Sequence, residues 1–157
     1  YDDLMMLGKV FGVSDRAGAL VKQLQEHEAA VVAKVAGKPP VKVAFYNGGE
    51  GPVNVLTVGI WADLMKKAGG QDVITTKGYQ VSNEEFAAGQ PDVILIGFFP
   101  GQDPKDSIAF LKKTFPNIPA VKNDRLVPIA TIDTEASVRV IDGLEQIAKG
   151  LHPEAFK

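Results

Sequence analysis

The chain contains no cysteine among its 157 residues. That absence excludes a disulfide framework, a thiolate metal site and cysteine catalysis. It leaves the compartment open, because an oxidising compartment permits disulfides without requiring them. The chain also lacks an excess of charge. Seventeen basic and 19 acidic residues give a net charge of −2, so electrostatics offers no reason to expect a nucleic-acid partner. The two lysine pairs, Lys66-Lys67 and Lys112-Lys113, read as solvated surface. No apolar run approaches the roughly 20 residues needed to span a bilayer, and no signal-peptide pattern is present. The sequence starts at Tyr1 and enters helical sequence almost at once, so a processed protein or a fragment is the expectation.

Chemistry-bearing patterns are equally sparse. The two histidines, His27 and His152, lie far apart and belong to no metal-spaced pair. The Gly48-Gly49-Glu50-Gly51 loop has neither the Lys-Ser/Thr of a P-loop nor dinucleotide spacing. It reads first as a turn that needs flexible backbone, and second as a ligand-facing loop after the first strand. No Ser-His-Asp set is visible. The expectation is therefore no catalytic residue, no metal site and no cofactor. Asp133 and Glu135 form an acidic pair after the last strand, but Asp133-Thr134 also stands where a helix N-cap belongs.

What is present is the composition of one folded domain or one lobe of something larger: 45% apolar and 23% charged residues. Leu4, Leu7 and Phe11 recur at helical spacing before Gly12. Ser14 or Asp15 is then expected to cap a second helix with a period near 3.6, running through Ala17, Leu20, Val21, Leu24, Glu28, Val31, Val32 and Val35. Gly37 and Pro39-Pro40 stop it. At about 1.5 Å per residue this helix is about 33 Å long, the span of a small domain. Such a helix suits a brace between two bodies.

From Val41 the pattern alternates between strand and helix. The reading is strand 41–46, helix 55–68, strand 72–74, helix 83–88, strand 93–97, helix 106–114, extended chain at 118–121, strand 126–130 and helix 134–150. Strands separated by helices imply parallel pairing with right-handed crossovers. The fold class is therefore α/β, a mostly parallel sheet flanked by helices in a Rossmann-like three-layer lobe, preceded by the long helix.

Val81 to Gly101 is the most informative stretch. Ser82 caps a short helix with Glu85 as its capping-box partner, and Pro91 ends it. Val93 to Ile96 is a continuous aliphatic run suited to a strand buried on both faces. Phe98 and Phe99 follow where a parallel strand leaves the sheet, and in open α/β sheets ligands bind at that end. Tyr46 and Tyr79 also fall near strand ends or in loops. Aromatic walls with few polar groups suit a small organic ligand or chelate. Trp61, on a helix, reads as core before ligand contact. Glu84 and Glu85 occupy a first helical turn, where negative charge suits the macrodipole.

These pieces, in this order, resemble the C-terminal lobe of bacterial solute-binding proteins of ABC importers. The subgroup is the helical-backbone one (class III), whose lobes are joined by a single rigid helix. The resemblance rests on Leu7-Gly8 to Phe11-Gly12, Val41–Tyr46, Gly59 to Ala68-Gly69-Gly70, Val81-Ser-Asn-Glu-Glu, Pro91-Asp92-Val93-Ile94, Ala120-Val-Lys-Asn-Asp-Arg-Leu and Leu151-His-Pro-Glu-Ala-Phe. It covers essentially the whole chain. It implies that residues 1–38 hold a short helix and the interlobe helix, and that 39–157 form the C-terminal lobe, with the N-terminal lobe absent. It implies a metal chelate (iron-siderophore, haem, cobalamin) or an oxyanion as solute, held by loops after the strands: Tyr46, Asn47, Glu50, Tyr79, Phe98, Phe99, Thr131 and Asp133. The Ser-x-Glu position, here Glu84, implies docking to the membrane permease. Location is implied to be periplasmic or extracytoplasmic, with a lipid anchor in a Gram-positive bacterium. The exposed cleft side of an isolated lobe also offers a surface for dimerisation. The alternative reading is a flavodoxin-like nucleotide-binding or enzymatic domain, which the missing phosphate fingerprint argues against.

Overall fold

A computed structural model describes residues 1–76 and 78–157. Among the described residues, seven α-helices and six strands follow in the order α1 (Asp2–Val10), α2 (Ser14–Val35), β1 (Val41–Tyr46), β2 (Val53–Asn54), α3 (Ile60–Lys67), β3 (Gly70–Asp72), β4 (Gln80–Val81), α4 (Asn83–Ala88), β5 (Val93–Phe98), α5 (Pro104–Thr114), α6 (Pro119–Lys122), β6 (Leu126–Ala130) and α7 (Val140–Leu151), with 3-10 turns at Thr131–Asp133 and Pro153–Phe156. The main sheet has strand order β3-β1-β5-β6, and every pairing in it is parallel. Alternate residues along a strand face opposite sides, and here both sides are apolar. Val43, Phe45, Val93, Leu95 and Ile129 face a core shared with α2, α3 and α7. Ala44, Tyr46, Ile94 and Ile96 face a second core that includes Phe86, Leu111, Phe115 and Ala120 of the helical segments beyond. The three-layer α/β architecture expected from the sequence is the one observed.

The long helix spans the expected 22 residues. Its last turns carry Val31 and Val35 into the first core. Nearer its start only Val21 is buried, and α1 folds back along that part. Polar contacts pin α2 to the lobe. Lys67 Nζ lies 2.7 Å from Glu28 and 2.9 Å from Asp63, the Tyr1 hydroxyl meets the same Glu28 carboxylate, and His27 Nε2 lies 3.0 Å from Glu145 Oε2. His152 is buried beside the Gly69 carbonyl, with Nε2 at 3.3 Å. No helix among the described residues is long and apolar enough to cross a membrane.

Several boundaries differ from the sequence reading. Ser14 is the first residue of α2 rather than its cap; Val13 holds the cap position with no side-chain hydrogen bond. The helix expected from Val55 starts at Ile60, because Val53 and Asn54 pair with Val81 and Gln80 and Val55 bridges Tyr46. Partners from distant sequence outbid helical periodicity there. The strand expected at 72–74 lies at Gly70–Asp72. Residues 119–122 form one helical turn rather than extended chain, with Pro119 in the first turn, where its missing N–H is not needed. The last helix begins at Val140 rather than Thr134, because the Thr134 hydroxyl closes a tight turn onto the Thr131 carbonyl at 2.8 Å.

Candidate functional site

From β1 the chain runs to β3 on one side and then crosses to β5 on the other. The carboxyl ends of β1 and β5 therefore flank the point where strand order reverses, the crevice in which open α/β sheets bind ligands. Asn47 follows β1, Gly97 and Phe98 end β5, and Thr131 follows β6. Gly97 is what allows them to meet. A Cβ there would run into Asn47 Oδ1 and lie 3.0 Å from Thr131 Oγ1. The Thr131 hydroxyl donates to Asn47 Oδ1 at 3.5 Å, a long hydrogen bond. These groups make a small polar floor across the carboxyl ends of β1, β5 and β6.

The loop after β1 is held at both ends. The Asn47 N–H donates to the Asn54 carbonyl at 2.8 Å, and the Asn54 N–H donates to the Gly48 carbonyl at 2.7 Å. The Tyr46 hydroxyl donates to the Gly49 carbonyl at 2.9 Å. Glu50 stands exposed at the tip. Around this floor the aromatics divide. Phe98 is half-buried, whereas Phe99 is exposed, its N–H held by Gln102 Oε1 at 2.9 Å. Tyr79 is exposed and meets Trp61 edge to face, ring centres 6.4 Å apart. Trp61 Nε1 donates to Thr134 Oγ1 at 3.1 Å, and Thr134 donates to the Thr131 carbonyl. A relay of side chains thus links the exposed Tyr79 to the polar floor.

One expected solute contact and one expected cap are placed otherwise. Tyr46 is only 2% exposed; its ring packs on Phe86 and Phe110 in the second core, and burial raises its phenol pKa. It shapes the loop through Gly49 and has no free ring face, a correction to its reading as an aromatic wall. Asp133 does not cap α7. Its Oδ2 accepts from Gln146 Nε2 at 3.1 Å, and its Oδ1 lies 3.4 Å from Arg139 Nε. Trp61, Gly97 and Thr134 were not among the expected site residues. Gly97 had a signal, since a glycine inside a β-branched run marks close backbone approach.

Glu84 lies in the first turn of α4 and is exposed. Its own backbone N–H, then the Ser82 hydroxyl, hold its carboxyl below the usual range, so it is ionised at neutral pH. Ser82 Oγ caps the helix by accepting the Glu85 N–H at 3.1 Å. The reciprocal half of the capping box is diverted, because the Glu85 carboxylate takes the Thr76 hydroxyl.

A cavity of about 430 Å³ lies elsewhere, between α1, α2, α3 and the start of α7. None of the expected solute residues lines it. Of its charged lining groups, Asp3, Glu28, Asp63 and Lys67, the last three are already tied together through Lys67. The strand-end floor, with hydrogen-bonding groups turned to one another at a topological switch point, is the stronger candidate.

Comparison with known proteins gives a consistent picture. The profile of the periplasmic binding protein family matches residues 1–131. No curated protein matches the chain in sequence. A periplasmic binding protein from Veillonella parvula superposes with a TM-score of 0.88 at 24% identity, over 97% of this chain and 55% of that one. An ABC transporter substrate-binding protein from Listeria monocytogenes gives 0.82 at 26% identity, over 97% and 63%. A periplasmic heme-binding protein from Pseudomonas aeruginosa gives 0.77 at 25% identity, over 97% and 58%. The chain spans between 55% and 63% of the length of these three structures.

Proposed function

Because the chain belongs to the periplasmic binding protein family, we propose that it is one lobe of a two-lobe solute receptor serving an ABC importer. Residues 39–157 form the C-terminal lobe, and residues 1–38 supply a short helix and the interlobe brace. The solute is a metal chelate of the siderophore, haem or cobalamin kind, or an oxyanion, taken up outside the cytoplasm. The observation that carries this reading is the convergence of Asn47, Gly97 and Thr131 at the switch point, with Tyr79 and Phe99 exposed nearby.

In this reading the lobe performs no chemistry on its solute. Asn47 and Thr131 give the floor hydrogen-bonding capacity, Phe98, Phe99 and Tyr79 give apolar area, and Glu50 and Asp133 stand at the margins. Apolar walls with a few convergent polar groups fix a ligand's orientation without binding it irreversibly. Glu84, ionised and exposed on α4, docks to cationic side chains of the permease, where charge-assisted pairs give orientation.

Trp61 reports on the site, because it touches Tyr79 and bonds Thr134. Its fluorescence in the two-lobe receptor, titrated with haemin, a ferric siderophore, cobalamin and molybdate, should respond to one of them. Silence toward all four would overturn the assignment. Glu84→Ala should leave that response intact and abolish uptake in cells; equal loss of binding and uptake would remove the docking role.

A further inference from the structure

We propose that Asn83 is a positioning residue that couples the loop after β1 to the docking carboxylate, so that movement of solute-facing backbone moves Glu84. This rests on the docking role given to Glu84 above. Three observations meet at Asn83. Gly51 backs closely onto its carboxamide: a Cβ on Gly51 would lie 3.2 Å from Nδ2 and 3.5 Å from Oδ1. Asn83 Oδ1 is buried with no hydrogen-bond partner, the one such side-chain atom found among the described residues. Asn83 is also the first residue of α4, immediately before Glu84.

A buried acceptor without a donor is rare in folded proteins and marks strain, a role or a site for water. Here it lies under a loop whose ends are tied down through Asn47, Gly49 and Asn54. Glu50 and Gly51, between those ties, are exposed. A shift that brings a protein donor onto Asn83 Oδ1 satisfies it; in the present position no protein group donates to it. Loop and carboxamide thus form an element with two arrangements of different energy. A solute contact on Glu50 or Gly49 biases the choice between them. Glu84 follows Asn83 in the same helical turn and is carried with it.

A second connection must be separated from this one. Strands β2 and β4 pair Val53 with Val81 and Asn54 with Gln80, and the Val55 N–H donates to the Tyr79 carbonyl at 2.8 Å. That ladder also joins the loop to the start of α4. The physical warrant for coupling is a response at one place to a perturbation at the other, and it can be read without solute or permease.

The experiment records backbone amide resonances of the ¹⁵N-labelled 157-residue chain. Gly51→Ala perturbs the loop, since Gly51 has φ +145° and a Cβ there would press on the Asn83 carboxamide. It should shift the amides of Glu84, Glu85 and Phe86. In an Asn83→Leu background those shifts should fall by more than half, while the changes at Gly48 and Gly49 persist. Should Gly51→Ala not fold, Glu50→Lys perturbs the exposed tip instead, and Asn83→Ala replaces Asn83→Leu on the same ground. Changes confined to residues 47–54 would overturn the proposal. So would α4 shifts that survive Asn83→Leu unchanged, which would assign the link to the β2–β4 ladder. Either failure leaves the uptake test of Glu84 standing, so the two ideas fail separately.

Discussion

Asp72 ends β3 at the open edge of the sheet, and its carboxyl is the one group there whose titration the fold clearly shifts. Its Oδ1 accepts the Ile74 N–H at 2.9 Å. Burial pushes its pKa up from 3.8 to about 6, against the opposing pull of that one backbone hydrogen bond. The native state therefore holds the proton more tightly than the unfolded chain does. The resulting stability is fully present below the ordinary value of 3.8 and is lost as pH rises through about 6. A rise of about two units sets a ceiling of about 3 kcal/mol, at about 1.36 kcal/mol per unit. The carboxyl remains partly open to solvent, and screening reduces this to about 1–2 kcal/mol. Asparagine keeps the acceptor for Ile74 and cannot ionise. Asp72→Asn should therefore raise Tm at about pH 8 by about 2–8 °C, using roughly 2–4 °C per kcal/mol for a chain of this size. Near pH 4 the gain should shrink to a small fraction. Thermal melts followed by circular dichroism at both pH values provide the test. An equal gain at both, or none at pH 8, would refute burial as the cause.

Three further substitutions probe the packing that supports the site. A Cβ on Gly143 would overlap the Asp133 carbonyl oxygen and lie 2.8 Å from its carbon; Gly143→Ala should push α7 off the segment carrying Thr131 and Asp133 and cost about 3 kcal/mol in urea unfolding, the upper end for overpacking. The Arg125 guanidinium donates to the Gly150 and Leu151 carbonyls, both at 3.1 Å, closing the end of α7. Arg125→Ala should cost about 1.5–3 kcal/mol by denaturant midpoint, and lysine should restore only part of it, lacking the planar fork. Leu144 is fully buried between α7 and the sheet; Leu144→Ala should cost about 2–5 kcal/mol at unchanged m-value.

The order of strands and helices was legible because periodicity is local. Val93 to Ile96 reads as a doubly buried strand from its four aliphatic residues, and it is buried on both faces. The stripe from Leu20 to Val35 reads as one long helix, and it is one. Ser82 reads as a cap from the glutamate three residues on, and it caps. The misplaced boundaries at Val53 and Thr134 each involve a partner remote in sequence. Val53 to Val55 are held by Val81, Gln80 and Tyr46, which no window of adjacent residues contains; Thr134 is held locally by the Thr131 carbonyl and from far along the chain by Trp61. Glu85 shows the same limit in a single side chain, drawn from its capping role by Thr76 nine residues away.

The candidate site divides along the same line. Sequence alone determined that strands would alternate with helices, that their carboxyl ends would carry Asn47, Phe98 and Thr131, and that Glu84 would stand in a first helical turn. Those are consequences of backbone periodicity and capping chemistry acting over a few residues. Tertiary structure decided which of these groups meet. Strand order β3-β1-β5-β6 sets β1 beside β5 and β5 beside β6, and the missing side chain of Gly97 lets Asn47 and Thr131 close over it. The same packing buried the Tyr46 ring and laid Gly51 against Asn83. Proximity across a sheet depends on register and on the space left between side chains, and both are settled only when the layers come together.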